Sequence, residues 1–306
     1  MPVLAEGARG GGVSAANTPA VDRGSQKVLV LRTCNADMTS HGGFVWPESG
    51  PVECPDWEPV DECGNGLHGL LWGVGDAELL NWSPDAKWLV VSVEASTLVD
   101  LCGKVKFPRG EVVHCGDVKS ATEYIRANGG DGKPIVGITS TSGDWGTSIS
   151  GYKGTSTSGK WGTSISGYGG TSTSGDWGTS ISGYNGTSTS GDWGTSTSGG
   201  CGSSTSGYGG TSTSGDWGTS TSGDWGTSTS GNWGTSISGY RGTSISGYGG
   251  VAAAGSGGIV VIRYRDGDRY GVCVGRVKDD GGEGELEPYT KYRLNDQGEF
   301  VEADGA

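Results

Sequence analysis

The stretch "GYKGTSTSGKWGTSISGYGGTSTSGDWGTSISGY", beginning at Gly151, repeats an eight-residue frame of the form Gly-x-x-Gly-Thr-Ser-Thr/Ile-Ser. The frame runs unbroken through thirteen complete octets, from Gly143 to Ser246. A short fixed period of this kind marks a solenoid, in which each unit buries its inner face only by stacking on its neighbours. A flexible Gly/Ser-rich linker is the competing reading. Three features argue against it: the register never slips, an aromatic residue occurs in all but one octet, and Ile replaces Thr only at the seventh position.

Eight residues at about 3.3 Å each cannot enclose a side-chain core, because two facing strands and two turns need about twice that length. One coil is therefore two octets. Trp145, Trp161, Trp177 and Trp193 alternate with Tyr152, Tyr168 and Tyr184 in a sixteen-residue super-period, which changes after Cys201. Thirteen octets then make a rod of six and a half coils, roughly 31 Å long at about 4.8 Å per coil, with Trp and Tyr ladders along its edges. Gly at the first and fourth positions suits corners that need a positive φ or a close backbone approach.

Strand alternation puts the fifth and seventh positions on one face and the sixth and eighth on the other. Ile stands at 149, 165, 181, 237 and 245, always in the seventh position. Ile is the residue most costly to leave in water, so the fifth and seventh positions are predicted to point inward. The outward face is then a hydroxyl array of Ser148, Ser150, Ser156, Ser158, Ser164, Ser166, Ser172, Ser174, Ser180, Ser182, Ser188 and Ser190. These serines are the candidate binding surface. The inverted phase would instead place Thr and Ile outward.

The 306 residues are only 32% hydrophobic and carry 63 Gly, too little for one large conventional core. A net charge of −13 argues against nucleic-acid binding, which needs clustered Lys and Arg. The repeat itself is nearly neutral, with five Asp against two Lys and one Arg, so an acidic decoy is disfavoured as well. No run approaches the roughly 18 apolar residues of a membrane span, and "MPVLAEGARGGGVSAANTPAVDRG" lacks the regions of a signal peptide. Seven Cys, an odd number, point to reduced thiols and a cytoplasmic location, with secretion lacking a recognisable signal left open.

Composition divides the chain into a disordered leader (1–25), a small α+β domain (26–130), the octapeptide-repeat β-solenoid (135–254) and a β-rich C-terminal cap (255–306). In the α+β domain "KVLVLRTC" and "KWLVVSVEA" read as strands. "DVKSATEYIRANGG" reads as a short helix with Val118, Ala121, Tyr124 and Ile125 on one stripe. In the cap, "GIVVIRYRDGDRYGVCVGRV" predicts a hairpin turning at Asp266-Gly267-Asp268, and Asn295-Asp296-Gln297-Gly298 a second turn. These hairpins close the stack, whose open strand edge would otherwise invite aggregation.

The segment "SGYGGTSTSGDWGTST" at 206–221 resembles the central repeats of bacterial ice-nucleation proteins, and "GYRGTS" at 239–244 is similar to that family's Arg-bearing coils. The resemblance covers about a third of the chain. It implies a β-solenoid of sixteen-residue coils and an ice-organising surface built from an outward Thr-x-Thr array. In the phase predicted here Ser occupies those outward positions, a departure from the family pattern.

Outside the repeat, Cys54, Cys63 and His68 are the candidate metal ligands, although no Cys-x-x-Cys pair accompanies them. A nucleophilic Cys with a His base could also be drawn from Cys34, Cys63, His41, His68 and His114. Asp56, Glu58, Asp61 and Glu62 read as a solvated loop, and Trp46, Trp57, Trp72, Trp82 and Trp88 as core. No cofactor is expected. Two functions follow: a non-enzymatic repeat protein facing ice or another repetitive surface, with homodimers formed through the Trp/Tyr ladders, or an enzyme or effector domain around Cys63 and His68 carried on a rigid spacer.

Overall fold

The computed structural model describes residues 26–266 and 269–303. The expected leader at 1–25 and the Gly267-Asp268 centre of the first cap turn lie outside the described residues.

Seven strands form the first sheet: β1 (Lys27–Cys34), β2 (Gly50–Glu53), β3 (Leu67–Leu71), β4 (Lys87–Glu94), β5 (Val99–Asp100), β6 (Val105–Phe107) and β7 (Arg109–Gly116). Their order is β2-β7-β4-β1-β3-β6-β5, and every pair is antiparallel. The predicted strands β1 and β4 pair along their whole length at the centre, from Lys27 opposite Glu94 to Cys34 opposite Lys87. Val30, Leu31, Leu89, Val90 and Val91 are fully buried, because the sheet is covered on both faces. A strand so covered is a continuous apolar run rather than an alternating one.

The predicted helix is α1 (Val118–Ile125), and it buries Ala121 and Ile125 in one of the two cores that flank the sheet. Its start is fixed by a capping box. The Asp117 carboxylate accepts from the Ser120 backbone N–H at 2.8 Å, and the Ser120 hydroxyl accepts from the Asp117 N–H at 3.1 Å. Trp46 and Trp88 are core residues, while Trp57, Trp72 and Trp82 pack at its margins.

The repeat forms two parallel sheets of short strands, joined by corners. In the first sheet the strands begin with Thr139–Thr141, Thr155–Thr157 and Thr171–Thr173 and end with Val251–Ala253; in the second they run from Thr147–Ile149 and Thr163–Ile165 to Ile259–Asp266. Register is kept at sixteen residues, with Thr155 opposite Thr171 and Thr163 opposite Thr179. The coil is thus two octets, as the spacing requires. There are about 8 coils rather than six and a half, which gives a rod of roughly 38 Å. The extra coils keep the frame while changing its residues. Ile135 and Ile138 stand where Gly would be, and Ala252, Ala254, Val260 and Ile262 stand where Ser would be.

Those substitutions serve the two ends. Ile135, Val136 and Ile138 belong to the same buried cluster as Leu31, Val90 and Ile125, so the N-terminal domain sits on the first coil. Trp82 packs on Tyr152 at 5.6 Å, which places a residue of that domain at the head of an edge ladder. At the other end Ile259–Asp266 turns antiparallel onto Arg269–Arg276, and Tyr292–Leu294, after pairing with the last strand of the first sheet, pairs antiparallel with Phe300–Glu302. The second cap turn is the predicted one, with Asn295 Oδ1 accepting from the Gln297 and Glu299 N–H groups. Val260, Ile262, Leu286 and Tyr292 form a small apolar core beneath these hairpins.

The interior of the coils is opposite to the predicted one. Every Ser at the sixth and eighth positions, from Ser148 to Ser246, is buried, and no residue at the fifth or seventh position between Thr147 and Ile245 is. Ser172 is 0% exposed and Ile181 is 38% exposed. The reason is width. A Cβ added to Gly178 would lie 2.7 Å from the Ser174 Cβ, so the corner has room for one hydroxymethyl group and nothing branched. Some of the interior serines bond the opposite sheet, while others, Ser172 and Ser180 among them, are enclosed with no hydrogen-bond partner among the described residues. The Ser156 hydroxyl donates to the Ile165 carbonyl at 2.7 Å, and those of Ser164 and Ser220 donate to the Thr173 and Thr229 carbonyls at 2.6 Å.

Candidate functional surface

Each corner has one residue in the left-handed region, always at the third position of the octet. It is Trp at 145, 161, 177, 193, 217, 225 and 233, Gly at 169, 209 and 249, and Lys153, Asn185, Cys201 and Arg241 at the others, with φ between 51° and 68° at these sites. The strain of holding a non-Gly residue there is about 1 kcal/mol. Stacking of rings between coils, worth about 0.5–1.5 kcal/mol per pair, offsets it. Tyr never takes that position. It stands at the second, as in Tyr152 and Tyr168, and leaves the third to Lys153 or Gly169. Gly at the first and fourth positions therefore answers to close approach rather than to positive φ.

The apparent change of period after Cys201 is an exchange between edges. One edge carries Trp145, Trp161, Trp177 and Trp193, stacked at 5.0–5.4 Å, and continues with Tyr208, Trp225 and Tyr240. The other begins with Tyr152, Tyr168 and Tyr184, stacked at 5.3 and 5.5 Å, and resumes with Trp217 and Trp233 beyond Cys201. The Cys201 thiol fills the gap 3.1 Å from the Tyr184 hydroxyl, a contact that raises the Tyr184 pKa. Asp at the second position has its own task. Asp144, Asp192, Asp216 and Asp224 each accept from the backbone N–H sixteen residues on, at 2.6–2.8 Å, and so bind each Trp corner to the next coil.

With edges and interior fixed, the broad faces are left to the fifth and seventh positions. The first sheet presents Thr139 and Thr141, Thr155 and Thr157, Thr171 and Thr173, Thr187 and Thr189, then Thr205 beside Ser203, then Thr219 and Thr221. On the second, Thr147, Thr163 and Thr179 are followed by Ile149, Ile165 and Ile181, and Thr-x-Thr appears only from Thr195 to Thr229. The threonines form a grid with spacings of about 4.8 Å between coils and about 6.6 Å along a strand. The two faces of one rod thus differ, one of hydroxyl-and-methyl pairs and one striped with Ile.

Ser148 through Ser190, the predicted surface, are enclosed and face no partner. The outward threonines that replace them had a signal in the sequence. The seventh position admits both Thr and Ile, which differ in polarity and share a branched shape, while the sixth and eighth admit Ser alone within the thirteen octets. Tolerance of bulk marks the open side, and restriction to the smallest hydroxyl marks the enclosed one.

Of the other candidates, Cys63, His68 and His41 line one cavity of the N-terminal domain. Cys54 and Cys34 are buried in the apolar core, and His114 is elsewhere, stacked on Tyr124 and 3.0 Å from the Ser120 hydroxyl. All seven Cys are free thiols. Among the described residues no group of three His, Cys, Asp or Glu side chains is placed to hold a metal ion, and no helix is long and apolar enough to cross a membrane. The acidic loop from Glu58 to Glu62 is exposed.

These features define a parallel β-solenoid repeat protein with two unlike faces. Its central region is similar to ice nucleation proteins: to one from Pseudomonas fluorescens at 52% identity over 106 residues, 34% of this chain and 9% of the relative. The ice nucleation protein InaU of Pantoea ananas is 48% identical over 32% of this chain and 10% of its own length. That of Pseudomonas syringae pv. syringae is 45% identical over 40% of this chain and 10% of its own length. The chain thus spans about a tenth of the length of these relatives. A family model described as a domain of unknown function (DUF7666) matches residues 28–127, the N-terminal sheet and α1. No solved structure matches the chain.

Proposed function

We propose that the protein is a non-enzymatic ice-binding solenoid whose working surface is the outward Thr-x-Thr array of the first sheet. The observation that carries the reading is the register: six successive coils present a hydroxyl and methyl pair on a parallel sheet, with only Ser203 departing from Thr. Each Thr offers a donor and acceptor to water and a methyl that fills space between water sites. The similarity of the central region to ice nucleation proteins supports the same reading. Capping at both ends holds the solenoid to about 8 coils, six of which carry the array, an area suited to adsorbing to ice more than to nucleating it.

The test is freezing-point hysteresis and droplet freezing of purified protein, beside Thr157→Lys/Thr173→Lys/Thr189→Lys on the first sheet and Ile149→Lys/Ile165→Lys/Ile181→Lys on the second. The first triple is expected to abolish activity and the second to leave most of it. An inactive parent, or two triples that behave alike, would remove the proposal.

The edges support a second element of the reading, a homodimer. Tyr168 and Tyr184 are 44% and 48% exposed in a contiguous ladder, and contiguous exposed apolar strips mark contacts between chains. Sedimentation of the parent against Tyr168→Ser/Tyr184→Ser tests it, with a fall from dimer to monomer expected. A monomeric parent would exclude it. Seven free thiols favour a reducing compartment such as the cytoplasm for this chain.

A further inference from the structure

The N-terminal domain contains a cavity of about 580 Å³ whose polar side is formed by Arg32, His41, Cys63, His68 and Lys104. In a chain of net charge −13, none of the residues lining it is acidic. The cations around it have neutral partners. Arg32 Nη1 donates to the His68 carbonyl at 2.7 Å, and its guanidinium lies 4.7 Å from the Trp46 ring centre. Lys104 Nζ donates to Cys63 Sγ at 3.0 Å. Lys106, opposite His68 in the β3–β6 ladder, is fully buried and donates to the Glu62 carbonyl at 2.8 Å. None of the three makes an ion pair among the described residues. Arg32 Nε and His68 Nε2 are buried without a hydrogen-bond partner. Burial, followed by the charges of Lys104, Arg32 and Lys106, holds the His68 pKa down to about 4, so its ring is neutral at pH 7.

Lys104 is half-buried and Lys106 lies behind the lining, so the uncompensated cation of the cavity is Arg32. A buried cation is stable when an anion or a complete set of hydrogen bonds compensates it, and none of the lining residues is an anion. The volume is that of a small-molecule site, and Leu79 and Leu80 give it an apolar wall. We propose that this cavity binds a small organic anion, its phosphate or carboxylate head among Arg32, Lys104 and His68 and its apolar body against Leu79 and Leu80. The site is separate from the threonine surface and does not depend on it.

Titration calorimetry on the full chain tests this, with phenyl phosphate and benzoate as probes and benzyl alcohol as the uncharged control. At least one anion is expected to bind with a Kd of about 1 mM or tighter, and the alcohol not to bind. The tighter anion names the head group. Lys104→Gln and the exposed Leu79→Glu are each expected to weaken binding at least about tenfold. The bound anion should also slow alkylation of Cys63 while leaving Cys201, on the solenoid edge, unchanged. No saturable binding of either anion, equal affinity in both variants, or an unprotected Cys63 in the presence of saturating probe would overturn the site.

Discussion

The two interiors of this chain are built on opposite principles. In the N-terminal domain Val30, Leu31, Leu89, Val90, Val91 and Phe107 fill the space between sheet and covering segments, and burial of apolar area carries the fold. In the thirteen octets of the solenoid the buried side chains are serines, and the hydrophobic residues Ile, Trp and Tyr lie on faces and edges. There the backbone ladders, the Ser-to-carbonyl bonds between sheets and the Asp bonds between corners hold successive coils together. Polarity therefore does not identify the inside of a coil; permitted volume does. A core of the first kind fails when atoms are removed, and one of the second kind fails when atoms are added.

Phe107→Ala in the domain should show the largest loss, about 3–5 kcal/mol, because a fully buried ring leaves a cavity that close-packed neighbours cannot fill. Denaturant unfolding followed by near-ultraviolet circular dichroism checks it, and a loss under about 1 kcal/mol would show that this core is not the tightly packed one described. Next comes addition to the solenoid. Ser172→Ile is expected to cost about 1–3 kcal/mol by overpacking, whereas Thr173→Ile next to it should stay within about 0.5 kcal/mol. Equal effects at the two positions would erase the contrast between interiors.

Smaller still is Asp192→Ala, which frees the Tyr208 N–H that Asp192 Oδ1 accepts at 2.8 Å. About 0.5–1.5 kcal/mol is expected, seen as faster amide exchange at Tyr208. The domain alone should also respond to acid near neutrality. The folded-state pKa of His68, about 4, lies below its ordinary 6.5, so the unfolded chain binds the proton first as pH falls. Stability is complete above pH 6.5 and declines toward about pH 4, and His68→Gln should flatten that slope. An unchanged slope in the variant would place the acid response elsewhere.

Much of this was legible in the sequence. The octet frame gave the solenoid, the two-octet coil and the ladders, and apolar runs with a Gly stop gave β1, β4 and α1. The end coils were less legible, since Ile135, Ile138, Val260 and Ile262 hide the frame by replacing Gly and Ser with residues that face the caps. The facing of the strands is not legible from transfer cost alone, because room decides it. Hydrophobicity points Ile inward, yet the corner at Gly178 and Ser174 leaves no space for it. The cavity at Cys63 and His68 is half visible in the sequence: the two residues stand close together in the chain, but Arg32 and Lys104, distant in sequence, reach it only through strand pairing.

The central claim is that serines line the coil and threonines face water, and thiol accessibility tests it most directly. Single variants Ser172→Cys and Thr173→Cys would be alkylated under native conditions and mapped by mass spectrometry, with exposed Cys201 as the internal standard. The thiol at 173 is expected to react at a rate close to that of Cys201, and the thiol at 172 only when the solenoid unfolds. A reactive 172 beside a protected 173 would contradict the account and return the outer face to the serines.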